Sequence, residues 1–312
     1  MRAFVFPGQG SQAVGMGKEL AEAYPAARAV FDEVDEALGE KLSSLMWDGP
    51  ADQLTLTENA QPALMAVSIA AVRALAEKGV GVGQAASFVA GHSLGEYSAL
   101  AGAGALKLGD AARLLRTRGR AMQQAVPVGV GAMAALIGLD LDAARTVAEE
   151  AAQGDVCEAA NDNAPGQVVI SGHAAAIDRA VVIAKEKGAK RAMKLPVSAP
   201  FHCALMQPAA DAMREALAEV EITAPVTPIV PNVKTSAESD PEEIRRLLVE
   251  QVTGSVRWRE SVSWMAGQGV TELVEIGAGK VLTGMARRID PNLTGRAINT
   301  PADLDDLAAS LA

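Results

Sequence analysis

The sequence predicts an α/β protein in which a large α/β-hydrolase-like domain, built on a central mostly parallel sheet, carries an inserted small ferredoxin-like (βαββαβ) domain. Three observations support this. Apolar strand-length runs alternate with helix-period segments on both sides of the chain's middle, the pattern of a parallel sheet covered on both faces. Residues 130–195 read as strand, helix, strand, strand, helix, strand, which is the split βαβ arrangement. An apolar run also leads straight into Gly91-His92-Ser93-Leu94-Gly95 and then into an alanine-rich helix, so that the serine sits on a sharp strand-to-helix turn.

The chain opens with a strand at residues 2–6, stopped by Pro7 and followed by the flexible run Gly8-Gln9-Gly10-Ser11-Gln12 and a helix from near Met16. Between 61 and 78, Leu64, Val67, Ala71, Val72 and Leu75 recur at helical spacing and Gly79 ends the pattern. A strand at 85–90 precedes the serine turn, and a helix follows over 94–103. The insert, 128–197, is expected to hold strands at 130–139, 156–160, 168–171 and 189–195 and helices at 142–152 and 174–187, leaving 1–127 and 198–312 as the large domain. After it come a strand at 226–230, a helix at 242–252 capped by Asp240-Pro241, a helix at 258–266, a strand at 271–276 and a helix at 280–289.

A chain of 312 residues can bury a sizeable core, and with only 3% aromatic residues that core is expected to be made of small aliphatic side chains. The formal charge of −10 repels a phosphate polymer, which argues against nucleic acid as a partner. An acidic small substrate would need a cation inside the pocket. Cys157 and Cys203 lack the spacing of a disulfide framework or a zinc site and read as reduced, buried thiols. No metal cluster or resident cofactor is expected. The start resembles a strand and turn rather than a signal peptide, and no apolar run approaches the roughly 18 residues of a membrane span, so a cytoplasmic protein is expected.

Gly-x-Ser-x-Gly is a nucleophile elbow for a steric reason: the flanking glycines let strand and helix approach where a Cβ would clash. The N–H of Leu94, at the start of the following helix, is one half of an oxyanion hole, and the Gly8–Gly10 loop, with Gln9, is the best source of the other. A serine hydroxyl needs a base, and there are three histidines. His92 should diverge from its neighbour, and His173 reads as exposed at a helix start. His202, in the loop re-entering the large domain, is favoured as general base. Its orienting partner is open between an acid such as Asp211 and a backbone carbonyl.

On the helix around 110–124, Arg118 lies on the apolar stripe, whereas Arg113, Arg116 and Arg120 project as a solvated face. An inward guanidinium stays charged and must be paired, either with a protein carboxylate or with a substrate carboxylate gripped bidentately. Gly277-Ala278-Gly279-Lys280 is too short for a Walker loop and reads as a turn, with Lys280 a weak phosphate contact. Residues 161–167 read as a polar hairpin loop.

Phe4 through Gln12, Gly91-His92-Ser93-Leu94-Gly95-Glu96-Tyr97, Arg118 through Gln123, Asn161 through Gly172, Pro200-Phe201-His202-Cys203 and Glu250-Gln251-Val252 together resemble, almost end to end, the malonyl-CoA:acyl carrier protein transacylases, and more broadly the acyltransferase domains of polyketide synthases. The resemblance implies Ser93 as nucleophile, His202 as base held by the main-chain carbonyl of Gln251, and Gln9 and Leu94 as oxyanion donors. It further implies Arg118 as the malonyl clamp, with Met122, Phe201 and Asn161 lining the substrate site. Phe201 resembles the residue found before this histidine in malonyl-selective polyketide acyltransferases. Malonyl-CoA and acyl carrier protein are the implied partners of a monomer serving fatty acid synthesis. A polyketide-pathway malonyltransferase and a serine thioesterase are the alternative enzymes, and a non-catalytic carrier-binding scaffold the rival of another class.

Overall fold

The computed structural model describes residues 1–311. Its strands are β1 (Arg2–Phe6), β2 (Phe88–Gly91), β3 (Gly131–Ile137), β4 (Cys157–Ala164), β5 (Gln167–His173), β6 (Arg191–Lys194), β7 (Glu272–Ile276) and β8 (Thr294–Ile298). They form two four-stranded sheets, one with order β2-β1-β7-β8 and one with order β4-β5-β3-β6.

Every pairing in the first sheet is parallel. Its inner strand β1 is apolar because both faces are covered: Phe4 and Phe6 enter a core with Leu64, Val67 and Ala71, while Ala3 and Val5 meet Trp258, Val262 and Met265 on the other side. Helix Thr57–Glu77 is buried almost all round, which its run of alanine, leucine and methionine permits. Helices Pro25–Leu38 and Gln207–Ala218 and strand β8 lie outside the elements expected from sequence. In the first of these, Ala27, Val30, Phe31 and Val34 are buried at helical spacing.

The second sheet is antiparallel. Helices Leu141–Ala152 and Ala174–Glu186 cover one face and share a separate core with it, including Leu136, Val147, Ile170 and Ile177. With β4 and β5 adjacent and β3 between β5 and β6, the connection is the ferredoxin-like one.

Two expected elements differ. Residues 226–230 form no strand but only isolated bridges of Ile229, parallel to Val89 and antiparallel to Glu238, because Pro228 and Pro231 cannot donate to a ladder. The polar loop expected at 161–167 is mostly strand: β4 continues to Ala164 and only Pro165-Gly166 turns. Register shifts on either side of Asn161-Asp162 let this stretch reach the large domain. There Asp162 receives Arg259 at 2.8 Å and Asn161 bridges Val256, so tertiary contacts outweigh the turn-like composition.

Candidate active site

β2 ends in the elbow. A Cβ on Gly91 would lie 1.9 Å from the carbonyl carbon of Gly95, and one on Gly95 would lie 2.3 Å from the carbonyl oxygen of Phe6. Only glycines allow strand, turn and helix Gly95–Gly102 to meet here. Ser93 between them has φ 54°, the left-handed region a side chain rarely adopts. Asn232 clamps this turn, accepting from the Ser93 N–H through Oδ1 at 2.8 Å and donating from Nδ2 to the Gly91 carbonyl at 2.7 Å.

His202, itself at φ 57°, places Nε2 2.7 Å from the Ser93 Oγ. Its Nδ1 faces two carbonyl oxygens, Gln251 at 2.9 Å and Gly254 at 3.1 Å. Two acceptors on that side require Nδ1 to carry the hydrogen, which leaves the Nε2 lone pair for the serine proton. Burial first, and then the charge of Arg118, push the imidazole down to about 3, against the pull of the two carbonyls. The resting base is therefore neutral. Asp211 takes no part: it is exposed and bonded to Arg214 and Gln207.

Arg118 is 1% exposed, and its partners are neutral oxygens. Nη1 donates to Gln61 Oε1 at 2.8 Å, and Nη2 donates to Gln251 Oε1 at 2.8 Å and to Ser93 Oγ at 3.1 Å. Its Nε finds no hydrogen-bond partner among the described residues. Among the described residues no carboxylate bonds this cation directly; Glu96 acts on it only through space, and burial still pulls its pKa below the ordinary guanidinium value. Tyr97 offers its ring 5.8 Å from the guanidinium carbon. Arg116, expected to be solvated, is 7% exposed and bonded to Glu40 and Asn59, because helices Pro25–Leu38 and Thr57–Glu77 pack along its own helix. Arg113 and Arg120 are exposed and paired with Asp110 and Glu58.

The structure brings Ser93, His202, Arg118 and Gln251 into one hydrogen-bonded group. Leu94, buried, starts the helix behind the serine. Gln9 is held through Nε2 to Thr57 Oγ1 at 3.1 Å, and its loop lies against the elbow, where a Cβ on Gly8 would come within 2.8 Å of the His92 carbonyl oxygen. Met122 is buried and its sulfur receives Gln61 Nε2 at 3.7 Å, while Phe201 is buried beside His202. Asn161 is buried on β4, and among the described residues no hydrogen bond ties it to Ser93, His202 or Arg118. His92 turns away from Ser93 and bonds Asn163 at 2.8 Å; His173 is half-buried and its Nδ1 accepts from the Val156 N–H. Lys280 is exposed.

Sequence reasoning passed over Gln61, Asn232, Gly254 and Glu96. The first three are neutral groups far from the serine in the chain, with no periodicity or motif of their own. Glu96 directly follows the elbow motif yet is buried: Oε2 accepts from the Asn232 N–H at 3.0 Å and from Gln251 Nε2 at 2.9 Å, and burial pushes the carboxyl up to about 7. Among the described residues no group of three or more His, Cys, Asp and Glu is placed to hold a metal ion.

Residues 3–289 match the family described as the acyl transferase domain. The malonyl CoA-acyl carrier protein transacylase of Escherichia coli (strain K12) is 50% identical over 300 residues, 96% of each chain, and that of Bacillus subtilis (strain 168) is 47% identical over 304 residues, 97% of this chain and 95% of that one. Among solved structures, the acyl-carrier-protein S-malonyltransferase of Bartonella henselae is 57% identical with a TM-score of 0.97 and 99% of both chains covered. A malonyl-transacylase solved in complex with a type II PKS acyl-carrier protein is 46% identical with a TM-score of 0.96, again with 99% of both chains covered. The chain belongs to the acyl transferase domain family and, within it, to the malonyl-CoA:acyl carrier protein transacylases.

Proposed function

We propose that this enzyme transfers malonyl from CoA to the phosphopantetheine thiol of acyl carrier protein through a malonyl ester on Ser93, serving fatty acid biosynthesis. The observation that carries this reading is the buried Arg118 guanidinium, held beside Ser93 by neutral oxygens with no carboxylate among the described residues bonded to it. A carboxylate two bonds from a thioester carbonyl, as in malonyl, supplies that anion while its carbonyl meets the serine.

Ser93 Oγ attacks the thioester carbonyl as its proton passes to His202 Nε2. The negative oxygen that develops is received by the N–H groups of Leu94 and Gln9. The carbon–sulfur bond breaks and the CoA thiolate takes the proton from His202. The carrier's thiol then gives its proton to His202 and attacks the ester carbonyl, and the departing Ser93 oxygen recovers the proton. Gln251 holds His202 through its carbonyl, and Met122, Phe201 and Asn161 line the acyl site. The metal-free, cofactor-free cycle needs only CoA thioester and carrier as substrates.

We assign 1–127 and 198–312 to the catalytic domain and 128–197 to the insert, in keeping with the two sheets and their separate cores. That Ser93, His202, Arg118 and Gln251 meet within one chain supports the reading of a monomeric enzyme. Two free, buried cysteines accord with a reducing cytoplasm. Incubation with malonyl-CoA should add one malonyl mass to Ser93, and holo acyl carrier protein should remove it as malonyl-carrier. Release of free malonate with no transfer would overturn the reading in favour of a thioesterase.

A further inference from the structure

The catalytic cycle makes no use of Glu96, although this carboxyl is 1% exposed and lies one turn of helix from the nucleophile. It contacts neither reacting atom, and two chains of hydrogen bonds start from its Oε2. One runs through the Asn232 N–H to the clamp on the elbow. The other runs through Gln251 Nε2, whose Oε1 receives Arg118.

The second chain decides the polarity of an amide. A glutamine side chain can present either oxygen or nitrogen to a neighbour. The two hydrogens of Gln251 Nε2 are taken by acceptors, Glu96 Oε2 at 2.9 Å and the Ser93 carbonyl at 2.9 Å. Its oxygen must then face Arg118, and Nη2 is drawn to a point where it also reaches Ser93 Oγ at 3.1 Å. With the acceptor at 96 removed, one amide hydrogen loses its partner, and only the Ser93 carbonyl and the guanidinium donors remain to hold the oxygen toward Arg118, so the amide's orientation is less firmly set.

We infer that Glu96 is a positioning residue for donor specificity: by accepting from Gln251 it fixes that amide's orientation, and so aims Arg118 at the carboxylate of the malonyl donor. The inference rests on the malonyl reading of Arg118. Both bonds are made to one oxygen, so they survive protonation at the other, and a glutamine at this position can place its carbonyl oxygen in the same spot. The arm through Asn232 affects every acyl donor alike. The arm through Gln251 reaches Arg118 and favours only a donor that carries a carboxylate.

The test is the single-turnover rate of Ser93 acylation, followed by intact-protein mass, with malonyl-CoA and with acetyl-CoA. In Glu96→Ala the malonyl-to-acetyl rate ratio falls about tenfold or more, while Glu96→Gln keeps it within about threefold of the unaltered enzyme. Gln251→Met retains the main-chain carbonyl that holds His202 but removes the amide, and it lowers the ratio as Glu96→Ala does. If Glu96→Ala fails to fold, the inference still falls on an unchanged ratio in Gln251→Met or on a Glu96→Gln enzyme whose ratio drops about tenfold. An unchanged ratio in either variant, or a Glu96→Gln enzyme as impaired as Glu96→Ala, overturns the role of Glu96. Failure of the unaltered enzyme to form a malonyl ester is a different result, which overturns the malonyl reading and this inference with it.

Discussion

Arg118 donates from Nη2 to the Oγ of Ser93 over 3.1 Å, so the guanidinium proposed to clamp the acyl donor touches the hydroxyl proposed to attack it. In the proposed mechanism, substrate recognition and chemistry thus share one hydrogen-bonded cluster rather than occupying separate subsites. Since the same oxygen lies 2.7 Å from His202 Nε2, the serine hydroxyl is held between a cation and a neutral base.

Replacement of Arg118 by alanine should lower kcat/KM for malonyl transfer about 100-fold or more, because a desolvated charge pair is lost. Acetyl transfer, which presents no carboxylate, should change by only a few-fold. Steady-state assays with both donors check this, and equal losses would count against the clamp.

Without His202 the serine has no proton acceptor. His202→Ala should form no malonyl ester on the time scale of normal turnover, although Ser93 and the elbow are intact. Mass analysis after incubation with malonyl-CoA tests it; retained acylation would turn attention to His92, whose Nε2 is engaged by Asn163.

The pH dependence has a definite sign. His202 is pushed down to about 3 by burial and by Arg118, so its base form should persist well below the ordinary histidine value. Inactivation of Ser93 by a neutral sulfonyl fluoride should therefore hold its rate as pH falls through 6. In Arg118→Ala one depressing cause is gone, the histidine pKa rises, and the acid limb moves to higher pH. A limb that stays in place would show that the charge of Arg118 is not felt at the imidazole.

Gly95→Ala should destabilise the fold by about 3 kcal/mol or more, since its Cβ would lie 2.3 Å from the Phe6 carbonyl oxygen, a backbone atom of an inner strand. Thermal unfolding measures the loss. A variant as stable as the parent would mean that the elbow relaxes at no cost.

Much of this protein was legible in one dimension. The elbow is local, since strand, turn and helix are consecutive and the two glycines that permit their approach lie within the motif. The apolar stripe placed Arg118 inward because helical periodicity depends only on neighbours three and four residues away. The insert was readable from its element order. Tertiary structure decided what depends on distant neutral groups. Gln61 and Gln251 are 57 and 133 residues from Arg118 and meet it only because three helices converge there. Arg116 is buried because helices on two sides enclose its stem, and Asn161-Asp162 is strand rather than loop because the large domain supplies Val256 and Arg259. Residue chemistry and spacing do not choose between an acid and a carbonyl as the partner of His202; only the family resemblance points to the Gln251 carbonyl, because every residue has a backbone carbonyl and packing determines which one reaches the imidazole.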